Sequence, residues 1–461
     1  MRNDSCRYLG PRPRFLRTDH ARLTTWLPTI SKKRLVAGVA GFLAATASCA
    51  ASAATQQELE AKVDALSAQI AELRTELAAL RAQGATGAAA PSAAAYAATP
   101  AGAAGLGAAG DTAATVSWFG YGELNYSRPT DDGPATTADV ARFVLGAGYR
   151  FDDKTRFVSE LEVEHAVSSA DDPGEVEVEQ AYVERRFNDR TFGNIGLFLM
   201  PVGLLNENHE PTRYYGVFRN FVETAIIPTT WREGGFEVEG NTDAGLRWNA
   251  GISTGFNLAK WDATSAESVE APLASIHQEL ALASAGDLAA FVALNYTGVP
   301  GLRVGASVFS GDSAQGQPGV HDNRVTLWEG HARWSPGNWD LSALYSLVHI
   351  ANTAPINATL VGNPALIPEE AFGWYLEAAY RAQLRNQKTL APFARYERLN
   401  TGSRYADIGA GLTPEPLADT EVLTTGINFG LAPGVVLKLD YLQFLHDDGS
   451  DRFDLGIGYQ F

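Results

Sequence analysis

The chain has 461 residues and a formal net charge of −17. The charge is uneven, because residues 115–461 carry 24 Lys and Arg against 45 Asp and Glu, a net of −21. This acidity argues against a nucleic-acid partner, since phosphate contacts require positive side chains. The body of the chain has no apolar run of 18 residues, so a helical membrane protein is not expected.

The first predicted element is a secretory signal peptide that spans residues 1–53. A basic patch at 31–34 precedes an apolar core at 35–45, and Ala51-Ser52-Ala53 supplies small residues for cleavage. The thirty residues before the basic patch are long for such a leader, which suggests a start annotated too early. Both cysteines lie in this segment, so the mature protein is expected to contain no disulfide.

A heptad pattern follows at residues 56–83 and predicts a short helical coiled coil. Its apolar positions are spaced alternately by four and three residues: Leu59, Val63, Leu66, Ile70, Leu73, Leu77 and Leu80. A lone amphipathic helix is the alternative, but a helix this short is marginal in isolation. β-Branched residues at two a positions favour two strands, whereas a barrel behind the helix favours three. The next segment, 84–114, is rich in Ala and Gly and is predicted to be a flexible linker.

From residue 115 to residue 461 the chain divides into segments of about ten residues that alternate in polarity, which is typical of membrane strands. Sixteen strands are predicted. Their ranges are 116–127, 140–150, 155–166, 175–187, 191–200, 232–240, 244–254, 287–297, 301–311, 323–335, 338–350, 370–382, 389–399, 419–430, 434–446 and 451–461. Connections after even strands are short, and those after odd strands are mostly long, especially 201–231 and 255–286. This asymmetry predicts a transmembrane barrel, and no repeat of 40–50 residues indicates a propeller instead.

The loop at 201–231 combines charged residues with an apolar set. Phe218, Phe221, Ile226 and Ile227 are too many apolar side chains for a loop in water. We therefore expect this loop to fold into the barrel. Its charged candidates for a constriction are Glu207, Glu210, Arg213 and Arg219.

The alternation also assigns charged residues to the inner face of the wall. The basic candidates are Arg142, Arg156, Arg247, Arg303 and Arg333, with Arg395 and Lys438 on the same face. The acidic candidates are Glu160, Glu162, Glu177 and Glu179, with Glu164 and Glu175 beside them. A row of cations would attract anions through a constriction. The alternative is that these cations pair with carboxylates and only solvate the wall.

Catalytic and metal-binding patterns are weak in this sequence. The histidines are scattered, with no H-E-x-x-H spacing, and no G-x-S-x-G nucleophile elbow is present. We therefore expect no enzyme, no cofactor and no metal site. A structural or adhesive membrane barrel is a further class, but it would favour large external domains.

The last strand, 451–461, alternates Phe453, Leu455, Ile457, Tyr459 and Phe461 with small or polar residues. It resembles the terminal signal strand of bacterial outer-membrane barrels. The segment 193–203, Gly-Asn-Ile-Gly-Leu-Phe-Leu-Met-Pro-Val-Gly, resembles the phosphate-selective porin O/P-like group with an amino-terminal coiled coil.

The resemblance implies an all-β, 16-stranded antiparallel transmembrane barrel that acts as a porin in the outer membrane of a Gram-negative bacterium. It implies passive diffusion of small hydrophilic solutes, with a preference for anions such as phosphate or carboxylates. A non-selective or cation-leaning porin is the alternative, given the acidic wall. The implied partners are outer-membrane lipid and lipopolysaccharide, the barrel-assembly machinery through Phe461, and two further copies in a homotrimer, with the coiled coil in the periplasm.

Overall fold

The protein is represented by a computed structural model that describes residues 116–169, 172–317 and 322–461. The predicted signal peptide, coiled coil and linker lie outside the described residues. Sixteen long strands form a single antiparallel sheet. They are β1 (Val116–Pro129), β2 (Thr137–Asp152), β3 (Thr155–Glu164), β4 (Val176–Asn188), β5 (Thr191–Leu199), β6 (Arg232–Asn241), β7 (Leu246–Thr254), β8 (Leu288–Tyr296), β9 (Leu302–Asp312), β10 (Arg324–Trp334), β11 (Trp339–Ile350), β12 (Glu370–Tyr380), β13 (Thr389–Arg404), β14 (Thr420–Ala432), β15 (Val435–Phe444) and β16 (Arg452–Gln460). A two-residue piece, Ala382–Gln383, continues the pairing of β12 with β13.

The sheet closes into a barrel because the first strand pairs with both the second and the last. Tyr121 lies opposite Gln460, and on its other side it lies opposite Val144. Every neighbouring pair is antiparallel, so the sheet has no free edge. The predicted fold class and the number of strands are therefore confirmed.

Short turns and long loops lie at opposite ends of the barrel, as the sequence predicts. We call these the short-turn end and the long-loop end. At the turn between β14 and β15, Gly434 has a φ of +78°, and a Cβ there would lie 2.4 Å from the Gln460 carbonyl oxygen. Glycine is required at this turn because a side chain would be strained and would meet the backbone of the last strand.

Residues along each strand alternate between the apolar outer face and the inner face of the barrel. On β11, Trp339 and Tyr345 are exposed, whereas Asp340, Leu344 and Ser346, which point to the opposite face, are buried. Strand β13 is longer than predicted and runs to Arg404, which pairs with Glu369 and Glu370 at the long-loop end. These ion pairs extend the ladder beyond the hydrophobic pattern that sets the predicted boundary.

Short helices lie in the connections. Two are α-helical, α1 (Ala266–Glu270) and α2 (Thr353–Leu360), and Val222–Ile226 forms one π-helical turn. Single 3-10 turns occupy Gly133–Ala135, Leu258–Lys260, Ala274–Ile276, Arg385–Gln387 and Asp448–Ser450. In the part of the chain that the structure describes, no helix has the length and apolarity needed to cross a membrane.

Candidate functional site: the interior of the barrel

Loop 3, residues 200–231 between β5 and β6, lies inside the barrel. Its contacts reach strands on the far side of the ring. Tyr215 Oη donates to Asp340 on β11 at 2.7 Å, and the Val217 amide donates to Asp440 on β15 at 2.6 Å. Strands β11 and β15 flank β13 and β14, which lie opposite β5 and β6 in the ring of sixteen strands. Loop 3 must therefore cross the lumen.

A second set of contacts holds loop 3 against the near wall. His209 Nε2 lies 2.6 Å from Tyr121 Oη on β1, and the His209 carbonyl accepts from Arg142 on β2. Tyr214 Oη donates to Glu123 on β1 at 2.7 Å. Burial and the nearby Glu123 carboxylate raise the pKa of Tyr214 above its ordinary value. Tyr214 therefore stays a hydrogen-bond donor across the physiological pH range.

The base of loop 3 is closed by one asparagine. Asn206 Nδ2 donates to the carbonyls of Met200 and Trp231 at 2.7 and 2.8 Å, and its Oδ1 accepts from the Trp231 amide. The two ends of the loop are thus joined through a single side chain. The arrangement gives the buried Trp231 amide its acceptor and adds a second donor to the two carbonyls, which also accept from the Val202 and Met200 amides.

Glu223 ties the returning part of loop 3 to its beginning and to the wall. Its Oε1 accepts from the amides of Leu204 and Leu205 at 2.7 and 2.8 Å. Its Oε2 accepts from Asn220 Nδ2 and from Tyr375 Oη on β12, both at 2.9 Å. Glu223 is 3% exposed, so these hydrogen bonds form away from water, where each is stronger than at the protein surface.

The apolar residues of loop 3 pack with those of the next long connection, loop 4 (residues 255–287). The Trp231 ring stacks on Phe256 at 5.2 Å and meets Phe309 of β9 edge-on at 4.7 Å. Ile226 and Ile227 are each 1% exposed in the same cluster. The apolar composition of the loop is explained by this packing on the inner wall.

The basic candidates on the wall are distributed along the barrel. Arg247, Arg303 and Arg333 lie on β7, β9 and β10 near the short-turn end, and we call these three the arginine cluster. Arg303 and Arg333 are directly opposite in the ladder. Arg247 bonds Glu207 of loop 3 at 3.0 Å and Glu239 at 2.9 Å, so two of the constriction candidates, Glu207 and Arg247, are in contact.

The other two members of the arginine cluster differ in how they are paired. Arg333 pairs with Asp340 at 2.6 Å, and its side chain is 35% exposed. Arg303 donates to Asn295 at 2.9 Å, and no ion pair involving it occurs among the described residues. Arg303 therefore adds positive charge that no carboxylate within 4 Å offsets in this part of the chain.

The remaining basic candidates have partners. Arg142 is fully buried and bonds Glu123 at 2.9 Å, and Arg156 bonds Glu184 at 2.5 Å. Arg219 donates to Thr229 and Thr230, within loop 3. Arg213 lies 3.6 Å from Glu210, and its side chain is 39% exposed. Arg395 pairs with Glu377 and Glu397, and Lys438 donates to the Gly216 carbonyl. The sequence left open whether these cations form a row that attracts anions or pair with carboxylates, and most of them form ion pairs.

The acidic candidates form one group on β3 and β4 at the long-loop end. Glu160, Glu162 and Glu164 share the inner face of β3, and Glu162 lies directly opposite Glu177 of β4. One ligand oxygen each from Glu162, Glu164 and Glu177 lies within 4.8 Å of the others. Glu160, Glu179 and His209 form a neighbouring set with the same spacing. This acidic group therefore lies at a different height in the barrel from the arginine cluster.

The sequence analysis did not single out the wall carboxylates that receive loop 3. These are Glu123, Asp340, Glu397 and Asp440, each of which accepts a hydrogen bond from the loop. Their signal was available, since each carboxylate alternates with apolar residues on its strand. Alternation indicates which face of the strand a carboxylate occupies, but it does not identify the residue that donates to it.

The closed sixteen-strand barrel is similar in fold to the barrels of solved outer-membrane porins. A Salmonella typhi OmpF structure, solved in complex with daunomycin, aligns with a TM-score of 0.53 and 15% identity over 75% of this chain and 97% of that one. The outer-membrane channel DcaP of Acinetobacter baumannii aligns with a TM-score of 0.50 and 14% identity over 77% of this chain and 100% of that one. At this identity the likeness concerns the fold.

Sequence comparison defines the family more narrowly. The chain is 30% identical over 346 residues to an uncharacterized protein of Aquifex aeolicus (strain VF5). The alignment covers 73% of this chain and 77% of that protein. The chain belongs to the same family as that protein. No protein-family model matches it.

Proposed function

We propose that this protein is an outer-membrane channel for the passive diffusion of small hydrophilic solutes. The observation that carries the proposal is a closed sixteen-strand barrel with a loop fixed across its interior. Barrels of this size enclose a water-filled channel, and a loop in the lumen narrows it. The apolar outer face supports a lipid environment, with the short-turn end in the periplasm and the long-loop end outside the cell.

The proposed solutes are small anions such as phosphate or carboxylates. The arginine cluster supports this preference because Arg247 and Arg333 have 22% and 35% of their side chains exposed inside the barrel. Positive groups that remain in contact with water can attract an anion and release it again. A specific relationship to the phosphate-selective porins is part of the proposal.

A cation-leaning channel is the second candidate, and the glutamates of β3 and β4 favour it. These groups lie at the long-loop end, where they would act on ions that enter from outside. We assign the preference to the arginine cluster because loop 3 passes beside it through Glu207 and because Arg303 has no carboxylate partner among the described residues.

The ion preference can be tested from the reversal potential of purified channels in a KCl gradient. Wild-type protein is expected to favour chloride. Arg303→Gln should reduce the chloride-to-potassium permeability ratio by roughly twofold, since one uncompensated charge is removed. Arg190→Ala, which alters an exposed arginine in a turn, is the matched control and should change nothing. A wild-type channel that favours potassium would support the second candidate instead.

The substrate class needs a separate measurement. Millimolar phosphate or acetate should reduce the chloride current of the wild type by competing at the arginine cluster, and less so in Arg303→Gln. If neither anion affects the current, the channel does not bind these solutes, and a general porin is the better description.

We propose that residues 1–53 are a signal peptide, that 56–83 form a periplasmic coiled coil and that 84–114 connect it to the barrel. The heptad spacing and the order of basic, apolar and small residues support this organisation. We further propose a homotrimer, with Phe461 presented to the barrel-assembly machinery and lipopolysaccharide around the outer face.

A further inference from the structure

Three glutamates of β3 and β4 lie close together at the long-loop end of the barrel. On β3, Glu162 and Glu164 are two residues apart and therefore point to the same side, and Glu177 of β4 stands directly opposite Glu162. One ligand oxygen from each of the three lies within 4.8 Å of the others. Like charges this close repel each other unless a cation or a proton lies between them.

The nearby cations are shared with other carboxylates. Arg232 binds one oxygen of Glu177 at 2.5 Å but shares its guanidinium with Glu279 at 2.8 Å. Arg142 lies opposite Glu164 in the ladder, but its Nε bonds Glu123. His165 is bonded to Asp139 at 2.6 Å.

A second observation points to a ligand in this place. Glu162 is 2% exposed, and its Oε1 has no hydrogen-bond partner among the described residues. A buried carboxylate oxygen without a donor is costly, and such oxygens in proteins are usually paired or coordinate a metal. Glu164 and Glu177 are partly exposed, so an ion has a path to Glu162 from the water of the lumen.

We propose that Glu162, Glu164 and Glu177 bind a divalent cation, with Ca²⁺ as the best match. The three side chains offer carboxylate oxygens only, which are the ligands of hard cations, and no nitrogen or sulfur ligand that would favour zinc or copper. Three carboxylates supply six oxygens, one of which is occupied by Arg232. Bidentate carboxylates and water would complete the six to eight ligands that Ca²⁺ accepts, whereas Mg²⁺ requires a stricter octahedron.

The site is tested by calorimetric titration of CaCl₂ into full-length protein in detergent after EDTA treatment. The wild type should bind one Ca²⁺ per chain in this site, and Glu162→Gln should weaken that binding at least tenfold. Glu415→Gln removes the same charge from an exposed loop and should leave the affinity unchanged. Binding that is absent in the wild type, or equal in Glu162→Gln, overturns the proposal and indicates that the carboxylates share protons instead.

Thermal unfolding supplies a second readout that is independent of channel activity. Ca²⁺ should raise the Tm of the wild type, because a ligand that binds only the folded state stabilises it. The same addition should not raise the Tm of Glu162→Gln. Glu164→Gln should behave in the same way, and it replaces the first variant if that one fails to fold. A rise of equal size in both variants and the wild type would contradict the assignment. This proposal does not depend on whether the barrel conducts ions.

Discussion

Glu223 is the side chain whose removal should affect loop 3 most clearly. Its carboxylate accepts four hydrogen bonds, from two backbone amides, one asparagine and one tyrosine. Glu223→Ala would leave the amides of Leu204 and Leu205, the Asn220 side-chain amide and the hydroxyl of Tyr375 without this acceptor. We expect loop 3 to detach from β12 while the barrel itself stays folded, because the strand ladder does not involve this side chain.

The size of the effect follows from the number of donors that lose their partner. A buried group left unpaired costs about 1–3 kcal/mol, so four donors give roughly 4–12 kcal/mol. Water entering the vacated space would compensate in part, so about 3 kcal/mol, just below this range, is the expected loss of local stability. This corresponds to an opening of the loop that is about a hundredfold more frequent.

Hydrogen exchange of residues 200–231 measures that opening directly. Loop amides in Glu223→Ala should exchange about a hundredfold faster, whereas the strand amides should be unchanged. A loop that has left the lumen should also give a larger and noisier single-channel conductance. Glu415→Ala, on an exposed loop, is the control. Unchanged protection of loop 3 in Glu223→Ala would refute the view that this carboxylate fixes the loop.

Three further predictions concern other parts of the chain. Trp231→Ala removes a fully buried ring that packs on Phe256 and Phe309, and it should lower the stability of the folded protein by about 3–5 kcal/mol. The folded band on gels should then be lost at a lower temperature. An unchanged temperature would contradict the packing. Burial lowers the pKa of His277 in loop 4 to about 4, below its ordinary value near 6.5, so loop 4 should keep full stability above pH 6.5 and lose about 3 kcal/mol as the pH falls towards 4. Hydrogen exchange of loop 4 at pH 7 and pH 4.5 would show this, and His277→Phe should abolish the pH dependence. Deleting residues 56–83 should weaken the oligomer in mass photometry and leave the barrel folded; an unchanged oligomer would show that the barrel interfaces suffice.

The strands could be predicted from the sequence because their signal is local. Alternation with a period of two fixes which residues face outwards, and Pro and Gly mark the turns. Predicted and observed strands mostly agree within a few residues, and Arg404 shows why β13 extends further. Its partners, Glu369 and Glu370, lie at the start of β12, and no local pattern in β13 identifies them.

The interior could be predicted only in part. The apolar residues of loop 3 indicate burial, but they do not indicate where the loop touches the wall. Tyr215 and Asp340 are 125 residues apart and meet because both face the lumen at one height. The same limit applies to the charges. Alternation placed Arg142 and Arg303 on one face, yet Arg142 has a carboxylate partner and Arg303 bonds an amide.

The proposed function depends on conduction through this barrel. Purified full-length protein in a planar lipid bilayer should give stepwise increases in current, each from one inserted assembly, in symmetric KCl. The steps should become larger in Glu223→Ala, because loop 3 narrows the channel. Folded wild-type protein that inserts into the bilayer and stays silent would show that the barrel is not a channel.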